Sequence, residues 1–263
     1  MGKGHSSPPH PGYSVAQTAA QNGTMLIKPV DGIVRQVSIT KTLTCGIGDG
    51  EGVWCTPTNA PDGFKWNPLE NTRLKQISMD TVNGTVRACG VNNDDNIYCA
   101  SDVSKNNWIQ VGNPPDKLYQ VSLSGNRLCG VNHKNELKCA DFGISNWSDT
   151  PGSFKYISLD GIRACGTGPS GNITCTENID YPTWNPIPGN LANVILSNGR
   201  MCGAGGDLVM YCGDYDSTGK TATVWTPYAS GVQFATVFND VDTEYIYVND
   251  KDRNPGRAIV KKR

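Results

Sequence analysis

The chain has 263 residues, among them 30 Gly and 16 Pro, with 18% charged side chains and a formal charge of −1. That length suffices for one large domain or two modest ones, and so even a charge balance offers no footing for a nucleic-acid backbone or an anionic lipid surface. Even the stretch from Leu191 to Leu196 is interrupted by Asn193, so no run approaches the ~20 consecutive apolar residues of a membrane-spanning helix. The abundance of turn formers, with Thr, Val, Ile, Asn and aromatics, disfavours a helical bundle and describes many short strands joined by tight turns.

Residues 1–24, rich in Pro, Ser and Gly, read as a flexible tail ahead of a single domain over 25–263. The opening Met-Gly-Lys-Gly-His-Ser fits a myristoylation pattern, which would place the protein in the cytosol or at a membrane, and the segment has no apolar signal core. The cysteines argue the other way. They form five couples, Cys45 with Cys55, Cys89 with Cys99, Cys129 with Cys139, Cys165 with Cys175 and Cys202 with Cys212, each separated by nine residues and each with Gly after its first member. In CGVNHKNELKC a turn centred on Lys134 sets Cys129 opposite Cys139, at about the 4.5 Å Cα separation of a non-hydrogen-bonded antiparallel pair, within disulfide range. The other hairpins centre on Gly50, Asp94, Ser170 and Asp207, all turn-favouring residues. Metal binding is the rival, but zinc couples stand two to four residues apart and His5, His10 and His133 are scattered. Five hairpin disulfides and no metal are therefore expected, in a secreted protein whose export signal is not in this chain. Sequons at Asn22, Asn83, Asn146 and Asn172 agree with a secreted glycoprotein.

The repeat is wider than the cysteines. Trp66, Trp108, Trp147, Trp184 and Trp225 recur at 42, 39, 37 and 41 residues, and the first cysteines at 44, 40, 36 and 37. A unit of about forty residues holds a Trp-bearing strand, an alternating strand such as LYQVSL or FKYISL, and the disulfide hairpin, four strands in all. After Trp225 come three strands without cysteine, GVQFATVFND, EYIYVND and RAIVKKR, which lack a fourth. MLIKPVDG, with Leu26 in the place of Trp, can supply it and close a ring of six. The expected fold is an all-β, six-bladed β-propeller of four-stranded antiparallel blades, closed by an N-terminal strand, with five intra-blade disulfides.

CGVNNDDNIYC and CGVNHKNELKC, with Trp184-Asn-Pro-Ile-Pro-Gly and the QVSL strands, resemble the repeat of the tectonin and fish-egg-lectin family over residues 25–263. The resemblance implies a propeller that binds carbohydrate on microbial surfaces or eggs, in recognition or innate defence. The chain departs from the pattern in its cysteine-free unit, in Leu26, and in the fourth and fifth hairpins, which lack the Val-Asn step. Plant receptor ectodomains with RCC-like repeats pair cysteines similarly and are the nearest competing family.

Within the repeat, Val37, Ile77, Val121, Ile157 and Val194, with Ile39, Met79, Leu123, Leu159 and Leu196 two residues on, read as core. Candidate ligand contacts are the five tryptophans, whose indoles either wedge between blades or stack on sugars, and Arg87, Arg127, Arg163 and Arg200. Each arginine stands two residues before Cys-Gly, on one rim, where the first unit has Leu43. They either grip sugar hydroxyls and anions or tie one blade to the next. The tips Asn92 to Asn96 and Asn132 to Asn135 fall on the opposite rim as polar turns, and Asp94 with Asp95 offers too few oxygens for calcium. No nucleophile elbow, P-loop, HExxH or dinucleotide fingerprint appears, and the paired carboxylates share single turns instead of facing across a cleft. The expectation is a multivalent lectin for cell-surface or microbial glycans, with no enzymatic activity and no cofactor; a protein-interaction propeller and a propeller glycosidase are the alternatives.

Overall fold

The computed structural model describes residues 14–15, 28–29, 32, 34–112, 117–144, 146–215, 224–250 and 255–261. Its strands form six antiparallel sheets, four of them meanders of consecutive strands and two that add a strand from the N-terminal segment to such a meander. Blade 1 comprises Val34–Ile39, Leu43–Gly48, Gly52–Pro57 and Asn67–Arg73; blade 2 Gln76–Val82, Thr85–Val91, Ile97–Ala100 and Ile109–Gln110. Blade 3 runs through Leu118–Ser124, Arg127–Asn132, Glu136–Asp141 and Ser148–Ser153, and blade 4 through Tyr156–Asp160, Arg163–Thr167, Asn172–Thr176 and Asn185–Asn190. Blade 5 holds Ile195–Ser197, Arg200–Ala204, Val209–Asp214 and Thr226–Ser230. Blade 6 has Phe234–Asn239, Thr243–Asn249 and Pro255–Lys261, and its outer strand is Lys28–Pro29, paired with Arg257 and Gly256. The N-terminal segment thus closes the ring, joining the two ends of the chain in one sheet. Ser14–Val15, within the stretch expected to be a tail, pairs with Ser230 and Ala229 as a fifth strand on blade 5.

The core lies between the blades. Six apolar clusters form, one at each junction: Cys45, Ile47 and Val53 of blade 1 meet Leu74, Ile77 and Met79 of blade 2, and the pattern repeats around to Tyr247 of blade 6 against Val34, Val37 and Ile39 of blade 1. All ten residues expected to alternate into the core are buried. Each cysteine couple sits in register across the second and third strands and is disulfide-bonded, with Cα atoms 4.1 Å apart. The glycine after the first cysteine has a packing cause: a Cβ on Gly130 would stand 2.6 Å from the Gln120 carbonyl and from Leu118, so the inner strand has no room for one.

Blade 6 replaces its disulfide with a different pair. Tyr247 and Arg257 occupy the register of the two cysteines, with Lys28 opposite Arg257 just as Asn185 is opposite Cys175. Tyr247 packs edge-on to Trp66, and the Arg257 guanidinium lies 4.7 Å from the centre of the Phe64 ring. Leu26, expected in the place of Trp, lies outside the described residues.

Candidate functional site

A repeated Gln-x-Ser on the inner strands of blades 1, 2 and 3 links each of them to the next blade, and blade 4 keeps only the serine, Ser158. Gln120 donates to the Ile157 carbonyl at 2.9 Å and accepts from the Ile157 amide at 3.1 Å; Gln76 does the same to Val121, and Gln36 to Ile77. Two residues on, the hydroxyls of Ser38, Ser78, Ser122 and Ser158 accept from the amides of Met79, Leu123, Leu159 and Leu196 in the following blade. Inner strands of adjacent blades are too far apart to share a ladder, so side chains satisfy the backbone groups instead. Gln36, Gln76 and the four serines line an axial cavity of about 120 Å³, well below the roughly 300 Å³ of an ordinary ligand pocket. Sequence analysis missed this role, although the motif recurs with the repeat.

The four arginines reach from one blade toward the next along one rim. Arg87 lies over the Phe142 ring at 5.0 Å; Arg127 pairs with Asp141 of its own blade at 3.2 Å and with Asp180 of blade 4 at 2.8 Å. Arg163 pairs with Asp160 at 2.7 Å and lies 5.9 Å from the Tyr215 ring. Arg200 meets Asp214 at 2.8 Å, Glu244 of blade 6 at 3.0 Å, and the Tyr228 hydroxyl. Burial works against the charge of Arg200, but Glu244, Tyr228 and Asp214 together outweigh it and raise its pKa. The geometry places these guanidinium groups between blades with carboxylates and rings as partners.

The tryptophans are half-buried, one at each of five junctions. The indoles of Trp147, Trp184 and Trp225 donate to the carbonyls of Gly112, Pro151 and Pro188 on the preceding blade. Trp108 breaks the pattern: the Asn106 side chain takes the Glu70 carbonyl at 2.9 Å, and the Trp108 indole nitrogen is buried without a partner. Trp66 stands against Phe64 and Tyr247, with Gly32 beside it at φ 102°. One edge of Trp147, Trp184 and Trp225 is thus held in the wedge, leaving part of each ring's surface at the ring wall.

On the opposite rim, the tips of neighbouring blades touch. Asn93 bonds Glu51, His133 bonds Asp95 at 3.0 Å, and Lys75 pairs with the same Asp95 carboxylate. Partial burial pushes the Asp95 carboxyl up, but the bonds from Lys75 and His133 outweigh it and hold it below the usual carboxylate range. Among the described residues no group of three or more His, Cys, Asp or Glu side chains is placed to hold a metal. The sequon asparagines Asn83, Asn146 and Asn172 are exposed; Asn22 and the residues of the myristoylation pattern lie outside the described residues.

Six alike blades with paired rims define a disulfide-stapled repeat propeller. The tectonin domain model matches residues 63–250, and the chain belongs to that family. No curated protein matches it. Among solved structures, human WBSCR16 superposes with a TM-score of 0.56 at 9% identity, covering 87% of this chain and 72% of that one. YCF48 bound to D1 peptide gives 0.51 at 11%, covering 92% and 83%. Prp20p from Saccharomyces cerevisiae, described with its binding to Gsp1p and histones, gives 0.50 at 7%, covering 88% and 69%. Identities this low speak for the fold alone. Among the described residues, no helix is long and apolar enough to cross a membrane.

Proposed function

We propose that the protein is a secreted, multivalent, non-catalytic lectin for cell-surface or microbial glycans. The observation that supports this most is the repetition: five tryptophans in one register around the ring wall, each half-exposed at a blade junction. An indole with one edge anchored is a pre-set platform for the apolar face of a sugar, and several weak platforms on one rigid ring gain by avidity. Five disulfides suit an oxidising compartment, hence secretion. The test is a glycan array with the purified chain, beside agglutination of cells competed by free monosaccharides. Binding to dense glycans with weak competition by monosaccharides supports the proposal, and no glycan bound refutes it.

A second reading, a protein-docking propeller, is favoured by exposed apolar side chains on the arginine rim, among them Ile144, Ile162, Tyr181 and Val241. An array without signal would leave that reading standing.

A further inference from the structure

The arginine position is filled at five of the six blade junctions. Arg87, Arg127, Arg163 and Arg200 fill four, and Tyr245, two residues before Tyr247, packs on the apolar cluster at the junction of blades 6 and 1. Between blades 1 and 2 the same position is Leu43, which packs on the apolar cluster of that junction and carries no guanidinium to reach across the rim. There the structure opens a cavity of about 350 Å³, lined by Thr42 and Leu43 of blade 1 and by Gly84, Thr85, Val86, Asp102 and Ser104 of blade 2. Asp102 comes three residues after Cys99, as Phe142 follows Cys139 and Tyr215 follows Cys212, so it holds the place to which arginines reach at other junctions.

We infer that this cavity is a ligand site, one per chain, for a single uncharged or amino-substituted sugar ring. The inference rests on the glycan-binding proposal and adds to its tryptophan platforms one further site with a stated ligand class. The volume falls within the range of small-ligand sites. Leu43 and Val86 supply an apolar wall for the C–H face of a pyranose, while the hydroxyls of Thr42, Thr85 and Ser104 stand among the lining residues. One oxygen of Asp102 accepts from the Ser104 amide at 3.0 Å and its hydroxyl at 2.6 Å; the other meets Lys105 at 3.5 Å and keeps lone pairs for sugar hydroxyls or an ammonium. With the Asp102 carboxylate as the only charged group among the described lining residues, the site discriminates against uronic, sialic, sulfated and phosphorylated rings. The repeat supplies the scaffold, and its one missing strut supplies the pocket.

Leu43→Arg tests this, because it restores at blade 1 a residue that four other blades already hold. The probe is a panel of free neutral, N-acetylated, amino and acidic monosaccharides, titrated by protein-observed methyl NMR, with the same proteins on a glycan array. At least one uncharged or amino sugar is expected to shift the Leu43 and Val86 methyls in the wild type, saturating at one per chain. Affinity for it should fall at least tenfold in Leu43→Arg, whose melting temperature should match or exceed that of the wild type. If Leu43→Arg does not fold, Ser104→Arg, an exposed change on the opposite wall, must cause the same loss. Unchanged affinity in a folded variant, or binding of acidic sugars alone, would overturn the pocket while leaving the glycan-binding proposal intact. A wild-type chain that bound neither the panel nor any array glycan would overturn both.

Discussion

Removing one inner-strand glutamine tests the account of what holds the ring together. Gln120 is 3% exposed and satisfies both backbone groups of Ile157 in the next blade. In Gln120→Ala that amide and carbonyl lose their partner, at about 1–3 kcal/mol for each stranded group. Water in the neighbouring axial cavity offsets part of this, so a net loss of about 2–4 kcal/mol is expected. For a chain of this size each kcal/mol shifts the melting temperature by about 2–4 °C, so the fall should be roughly 5–15 °C, read by calorimetry and by urea unfolding. Gln110→Ala is the control: that glutamine is exposed and bonds only the Tyr98 hydroxyl at 3.3 Å, so the change should stay within about 0.5 kcal/mol of the wild type. If Gln120→Ala were as stable as Gln110→Ala, the glutamine clamps would not be what joins the blades.

Two further expectations concern blade 6. Burial pushes the Tyr247 phenol up to about 12, against the pull of the Arg257 cation, while an unfolded tyrosine titrates near 10. The fold therefore holds that proton more tightly; the associated stability, about 2–3 kcal/mol, is fully present below pH ~10 and is lost as the pH rises through about 12. Tyr247→Phe should flatten the loss of stability over that window in pH-dependent urea unfolding, and parallel wild-type and variant curves would contradict it. Deleting residues 1–33 removes Lys28–Pro29 and bares the edge of Pro255–Lys261, which should cause aggregation or a large fall in melting temperature, whereas deleting 1–20, which among the described residues removes the two-residue pairing of Ser14–Val15, should change little. Equal behaviour of both truncations would refute closure by the N-terminal strand.

How far the sequence revealed this depends on the range of each contact. The disulfides and the alternation of Val121 with Leu123 were legible because hairpin register and strand period are local, and the ring followed from counting strands. The Gln-x-Ser clamps were visible as a motif but not as contacts, since Gln120 and Ile157 are 37 positions apart and polar residues on an inner strand also suit a wet channel. The arginines could not be assigned because their partners share no residue type: Phe142, Asp180, Tyr215 and Glu244 are a ring, a carboxylate, a ring and a carboxylate. The closing strand was legible from the strand count alone, since its two paired residues, Lys28 and Pro29, give no period to read. Leu43 stood out as an exception to the arginine pattern, yet its consequence depends on the Asp102 loop of the next blade.

The central claim, multivalent glycan recognition, is tested most directly by measuring binding of the intact chain to one array-selected glycan immobilised over a graded range of densities. The account predicts that apparent affinity rises by about 10² to 10⁴ from sparse to dense surfaces, as several sites on one ring engage together. Binding of equal strength at every density, or none at any density, would contradict it.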